Sequence, residues 1–320
     1  MNEELFSRKE SVKDVFFIIE DKLKKGLFKE SMEDFDRIMA MDFENGDLYD
    51  NMSCVKFWIN RLDNLEKLKE DYLEYCKFLD SSYKKFCKFV RDKNYKNDLI
   101  SINAIHYFVY NKIIELLKSE DFNDREQLHL LSNAFIELED YSRGLKAYEY
   151  LNKIEPYNSN TLSFIAEINH KLGDEKKAKM YIREALFYEP LNIEFEKITI
   201  DAVREIRDII IKRGIHNNSQ EEIISWMSAY GELMNILDIK KELNKEEEIE
   251  LRKNISRLEA DYRKFKLRDK VAPKLLSSYA FLTTRLITRH NSSDMQEIEI
   301  WGRKMATIDK DLLQYYIKIL

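Results

Sequence analysis

Proline and glycine are scarce in this chain, with 3 and 7 copies among 320 residues. Sandwiches and barrels need turn residues at short, regular intervals, and doubly wound folds need glycines at their strand–helix turns. Neither architecture can be built from this composition, so an all-α fold is expected. No segment clusters its glycines, which excludes a phosphate-binding loop. Cysteine is nearly missing. Cys54, Cys76 and Cys87 form an odd set with no CxxC spacing or Cys/His cluster that would suggest zinc. Cys76 and Cys87 share one helical pattern about 16 Å apart along its axis, beyond disulfide reach. Free thiols favour a reducing compartment.

The histidines at 106, 129, 170, 216 and 290 are scattered, and no GxSxG, HExxH or EF-hand pattern occurs. Catalysis, a metal and a cofactor are therefore not expected. No long apolar run exists either. The most apolar stretch, Leu99–Leu117, carries Asn103, His106, Asn111, Lys112 and Glu115. That makes it a poor membrane span and a good buried helix. The first residues hold Glu3 and Glu4 and lack a signal-peptide apolar core. A cytoplasmic protein is expected, with peripheral association with a membrane complex left open. An excess of positive charge is also missing. The net charge is −6, which argues against a nucleic-acid partner. What the chain does have is 44% hydrophobic and 35% charged residues, enough to bury a substantial core.

The rare prolines are informative. Pro156 and Pro190 are separated by the period of a two-helix repeat. Overlaying the segments that end at each places Leu128 on Leu162, Leu131 on Ile165 and Ser132 on Ala166. It also places Asp140 on Asp174, Gly144 on Ala178 and Leu151 on Ala185. Each segment reads as two helices, with apolar residues at three- and four-residue spacing on both sides of a polar turn. Gly173 suits the left-handed residue that ends the first helix. Ala166 and Ala178 are small where two helices cross, and Pro190 stops the second helix.

These residues resemble the tetratricopeptide repeat (TPR) family, whose unit has this period, small contact residues, a Gly-Asp/Asn-Tyr turn and a closing Pro. The resemblance covers Arg125–Asn192, with two departures: Glu139 replaces the turn glycine in one unit and Glu175 the turn aromatic in the other. A third copy is expected at Val12–Asn45, with Gly26 at the turn, Phe28 as the turn aromatic, Ser31 as the small contact, and Phe43 in the place of the closing Pro. An α-solenoid of TPR-like helical hairpins follows, flanked by degenerate helices.

Three regions are expected. Residues 1–118 hold the degenerate repeat at 12–45 and a long antiparallel hairpin at 62–118. Residues 119–192 hold two repeats, and 193–320 form a helical region of possible degenerate repeats. In the hairpin, Leu65, Leu68, Tyr72, Tyr75, Leu79, Ser82, Phe86 and Phe89 step by three and four, as do Leu99, Ile102, His106, Val109, Ile113 and Leu116. The first of these helices is expected to run for about 30 residues, roughly 45 Å. It either packs inside the superhelix or projects to mediate assembly. His106, with no second ligand at helical spacing on its own face, reads as a hydrogen-bonded core residue. Beyond Asn192, one helical stripe is expected from Phe195 through Ile210. Capping boxes are expected at Ser219–Glu222 and Asn244–Glu247, and a helix opened by Pro273. The charged run Lys240–Asn254 reads as a solvated helix face.

The resemblance implies a concave face lined by the first helix of each repeat. Leu130 and Asn133 would face it in one unit, and Phe164, Glu167, His170 and Lys171 in the next. Leu130 and Phe164 are expected as exposed apolar anchors for a partner peptide or helix. Only Asn133 and Lys171 suit the family's carboxylate clamp for chaperone tails, and Glu137 and Glu167 stand beside them, so that function is not expected. The function expected is a non-enzymatic protein-interaction adaptor or scaffold. The alternative is a structural, self-assembling subunit of a larger bacterial assembly. The Lys-, Ile- and Asn-rich composition is similar to that of proteins from AT-rich bacteria such as spirochaetes, which build a TPR-containing collar around the flagellar motor.

Overall fold

The computed structural model describes residues 11–41, 46–118, 124–214, 219–237, 244–288 and 295–319. They are helical, with no strand among the described residues. The chain divides into two compact units, Met1–Ala147 and Tyr148–Leu320. Phe43, His216 and His290 lie outside the described residues, as do the first ten residues.

Unit 1 begins with α1 (Val12–Lys24), α2 (Phe28–Met41), α3 (Leu48–Ile59), α4 (Leu62–Lys67) and α5 (Tyr72–Asp92). It continues with α6 (Ile100–Leu117), α7 (Arg125–Glu137) and the start of α8 (Tyr141–Ile154). Helix α6 is apolar almost all round, and a helix of that kind must be surrounded. It packs against α1, α3, α5 and α7. The hairpin of α5 and α6 therefore lies inside unit 1 and does not project. Its first helix is also shorter than expected. The chain breaks between α4 and α5 at Leu68–Asp71, where the Asp71 carboxylate caps α5 by accepting the Glu74 N–H (3.1 Å). Phe28, Trp58, Phe86 and Phe108 meet edge and face in the core, with Phe28 and Phe108 centred 5.1 Å apart. Cys54, Cys76 and Cys87 are free. Burial pushes the Cys54 thiol up to about 11 and that of Cys76 to about 12, so both stay protonated at neutral pH.

Unit 2 takes the rest of α8, then α9 (Ser159–Lys171) and α10 (Glu175–Tyr188). After α10 the expected helical stripe fails. The chain makes two 3-10 turns, Pro190–Asn192 and Phe195–Lys197, and α11 (Asp201–Arg213) starts only beyond them. Phe195 and Ile198 thus precede the helix. Then come α12 (Gln220–Leu233), α13 (Lys245–Tyr262), α14 (Arg268–Thr288), α15 (Met295–Ile308) and α16 (Lys310–Ile319). Asn244 and Glu247 form the expected reciprocal cap, and Ser219 accepts the Glu222 N–H. Pro273 does not open its helix. It sits inside α14, where its missing N–H removes the bond to the Asp269 carbonyl.

Three hairpins share one geometry. In α1–α2, α7–α8 and α9–α10, a 13-residue helix and a 14-residue helix flank a three-residue turn. Helices α9 and α10 begin and end one repeat period after α7 and α8, the same step that separates Pro156 from Pro190. The middle turn residue is left-handed in each: Gly26 at φ +77°, Glu139 at +58° and Gly173 at +82°. The next residue donates its N–H five residues back, Leu27 to Lys22 (3.0 Å), Asp140 to Phe135 (2.8 Å) and Asp174 to Asn169 (2.8 Å). These bonds satisfy the carbonyls that a helix end leaves open. Gly26 meets a second demand, because a Cβ there would overlap the Phe108 ring. The paired positions Leu128/Leu162, Leu131/Ile165, Ser132/Ala166 and Leu151/Ala185 are all buried, and so is Ala178.

Candidate functional site

Helix α9 carries four of the six residues expected to line a groove. Its Asn158 cap accepts the Thr161 N–H at 3.0 Å and sets the start of the helix. Asn160, Phe164, Glu167 and Lys171 then fall on one face by their four- and three-residue steps. That face is covered by the strap from Pro190 to Ile200. Asn160 donates to Glu194 (3.1 Å). The Lys197 amine stands 5.5 Å above the Phe164 ring. The Thr199 N–H donates to Glu167 at 2.7 Å, and its hydroxyl donates to the same carboxylate. Lys171 donates to the Thr199 hydroxyl (2.9 Å).

Three expectations are corrected here. Phe164 is 2% exposed and packs on the Tyr148 ring, with centroids 5.3 Å apart. It is a core residue and not an exposed anchor. Glu167 is 5% exposed, and its hydrogen bonds hold the strap. His170 reaches Glu175 at the start of α10 (2.6 Å), which ties the hairpin turn together. In unit 1, Leu130 is half-buried against the core and not free as an anchor, and Asn133 is half-buried. The structure thus brings Phe164, Glu167 and Lys171 together, but around a segment of their own chain.

His106 gains a partner that its own helix does not supply. Glu137 of α7 comes within 3.4 Å of its Nε2, and Tyr83 and Tyr110 pack around the ring. Sequence spacing cannot show a carboxylate that arrives from another helix. Among the described residues, no group of three or more His, Cys, Asp or Glu is placed to hold a metal ion.

Two of the openings among the described residues are candidates. A cleft of about 1090 Å³ at the α1–α2 turn is lined by five acidic and five basic side chains. Lys25 pairs with Asp21 and Lys112 with Glu115, so its charge is largely neutralised locally. The other is a cavity of about 320 Å³ in unit 2, built from the end of α10, the end of α12, the start of α13 and Phe281 of α14. Its walls are aromatic. Phe187 stacks on Phe281 (5.6 Å, 30°), and Tyr157 meets Tyr188 at 4.7 Å. At its base Arg183 lies 4.3 Å over the Phe281 ring and forks onto Glu232, with its second bond at 2.7 Å. Both partners of that pair are nearly buried. Glu184, Glu247 and Glu250 also line the cavity. The Tyr188 hydroxyl is pushed up by burial, then by Glu184, Tyr157 and Glu247. None of these cavity residues was singled out as a site from sequence, where Glu247 was read only as part of a helix cap. Phe187 and Tyr188 precede Pro190, and Tyr157 follows Pro156, but Glu247 and Phe281 arrive from far along the chain.

No protein-family model matches the chain, and no curated protein or solved structure matches it.

Proposed function

We propose that this chain is a non-catalytic protein-interaction adaptor of the TPR type, and that its partner docks at the aromatic cavity of unit 2. The repeat part of this reading is supported by three hairpins of the same dimensions, with a left-handed residue at the same turn position. The docking part rests on one observation. An open cavity joins stacked aromatic walls to acidic side chains, and Tyr157 at its lining is 61% exposed. Pockets that hold ligands combine apolar walls with a few polar groups in this way. The α9 face is not the docking surface in this proposal, because the strap occupies it.

The test is affinity capture from the native organism with the wild-type chain and with Tyr157→Ala. Tyr157 is exposed enough for its loss to leave folding nearly unchanged. Proteins recovered by the wild type and lost with the variant support the cavity. Equal recovery by both removes it. A second reading, a structural subunit of a larger bacterial assembly, is favoured by exposed apolar side chains on each unit. Phe17 is 73% exposed on unit 1, and Phe265 is 89% exposed on unit 2. Sedimentation separates the two readings: a monomer fits the adaptor, and self-assembly fits the subunit.

A further inference from the structure

We infer that a further opening of unit 2, between α11 and α12, binds a medium-chain carboxylate, with the acyl chain along its apolar floor and the head group at Arg207. The site is separate from the aromatic cavity and does not depend on the docking reading above. Its volume is about 460 Å³, within the range of small-molecule pockets. Ile198, Val203, Ile223 and Met227 line it and are buried, so they form its floor. Phe195 joins the lining from the strap. Ile211 also lines it but is 42% exposed, which leaves apolar surface in water at the mouth.

The charge of this lining has one sign. Its charged side chains are Arg204 and Arg207, and no carboxylate stands among them. The helical registers account for that. On α11, Val203, Arg207 and Ile211 step by four along one face, and Asp201, Glu205 and Asp208 fall outside that stripe. On α12, Gln220, Ile223, Ile224 and Met227 step by three and four, and Glu221 and Glu222 fall outside it. The two guanidiniums differ in their commitments. Arg204 donates to the Thr199 carbonyl and to the Asp201 carboxylate, both at 2.8 Å. Arg207 has no hydrogen bond or ion pair with a described residue, and neither does the Gln220 amide. Both are exposed. A free guanidinium fork and an amide N–H are the donors that a carboxylate takes.

Other occupants fit this lining less well. A cation would meet Arg204 and Arg207. An extended peptide would carry backbone N–H and C=O groups onto a floor of aliphatic side chains that offers them no partner. A hydrocarbon without a head group would leave Arg207 with water alone. An acyl chain brings no polar group to the floor, and its carboxylate reaches the fork at the mouth. The stripe from Val203 to Ile211 is about 12 Å long at the helical rise, which suits a chain of medium length.

The test uses the full chain labelled at its methionine methyl groups, because Met227 lines the site. Its signal is assigned with Met227→Leu. The chain is titrated with octanoate, decanoate, dodecanoate and decanol, each below its micelle-forming concentration. Decanoate is expected to shift the Met227 signal saturably and to bind at least tenfold more tightly than decanol. Affinity should rise about tenfold for each two added methylenes until the floor is filled, and raised salt should weaken the carboxylates alone. Arg207→Gln should bring decanoate down to the affinity of decanol. Ile211→Glu should cost decanoate at least tenfold and decanol much less, because it sets a like charge at the mouth. Both positions are exposed, and melting curves check that the variants fold.

An unmoved Met227 signal, equal affinity for decanoate and decanol, or an unchanged preference in Arg207→Gln overturns the inference. So does binding to phosphatidylglycerol vesicles without binding of free decanoate, which would make this face a membrane contact. A capped amphipathic helix of Leu, Ala and Glu that binds more tightly than dodecanoate would assign the site to a partner protein and overturn it. Self-association abolished by Ile211→Glu would assign it to a second copy of this chain and overturn it as well.

Discussion

Hairpins α7–α8 and α9–α10 are copies in outline and different in outcome. Their helix limits repeat at the spacing of Pro156 and Pro190, and their turns use the same left-handed step. Yet Pro156 is followed almost at once by a new helix at Ser159, while Pro190 opens a strap of 3-10 turns. The strap lies on the α9 face. Equivalent positions therefore meet different surroundings: Phe164 is core where Leu130 is half-buried, and Glu167 is a buried acceptor where Asn133 is half-buried. A repeat register dictates where side chains point. It does not dictate what comes to lie on them.

The comparison breaks most severely if the packing of α9 on α10 is disturbed. Ala178 is fully buried where the small residue of the second helix belongs. Ala178→Glu should cost about 3–5 kcal/mol through overpacking and an unpaired buried charge. Chemical denaturation checks this, and a loss below about 0.5 kcal/mol would place Ala178 outside a tight contact.

The next effect separates the two faces. Phe164→Ala should cost about 3 kcal/mol, since a buried ring leaves a cavity. Leu130→Ala should cost clearly less, because part of its side chain is already in water. Paired denaturation curves measure both. Equal small losses would mean that the strap leaves the α9 face open.

The turns allow a finer comparison. A left-handed residue other than glycine is strained by about 1 kcal/mol. Glu139→Gly should therefore stabilise by about 0.5 kcal/mol, after the added freedom of the unfolded chain is subtracted. Gly173→Ala should destabilise by about 1 kcal/mol, and by backbone strain alone, because nothing lies within 4 Å of the added Cβ. Melting temperatures that move in the same direction for both would refute the shared turn geometry.

The smallest effect is at the last residue of the turn. Asp140 accepts the Arg143 N–H and Asp174 the Lys177 N–H, each at 3.1 Å. The Lys177 backbone N–H, then its side chain, holds the Asp174 carboxyl below 3.8. A depressed carboxylate stabilises the fold above its unfolded value and loses that contribution as pH falls through the folded value. Asp174→Asn keeps a capping acceptor without the charge. The wild type should melt slightly higher than this variant above about pH 5, and the gap should close on acidification below 3.8. A gap that persists in acid would show that charge is not its source.

Much of the fold was legible because it is local. Helix content follows from the shortage of proline and glycine, and the left-handed turn at Gly173 follows from the residue type. Buried pairs such as Leu128 with Leu162 and Leu131 with Ile165 follow from periodicity. Glu139 shows the limit: sequence marked it as a departure, but the backbone hydrogen bonds impose the same turn on it. The break at Leu68–Asp71 was missed because the apolar spacing continues across it, while the Asp71 cap ends the pattern.

The candidate site was far less legible. Helix, turn and register depend on residues within a few positions of one another, and a sequence displays those directly. The fate of the α9 face depends on a strap whose Glu194, Lys197 and Thr199 find partners back on α9, at Asn160, Phe164 and Glu167. The cavity depends on Phe281 and Glu247 reaching the end of α10. Burial of a face is set by which distant segment gains most by covering it, and that competition among long-range contacts is resolved only when the chain is packed.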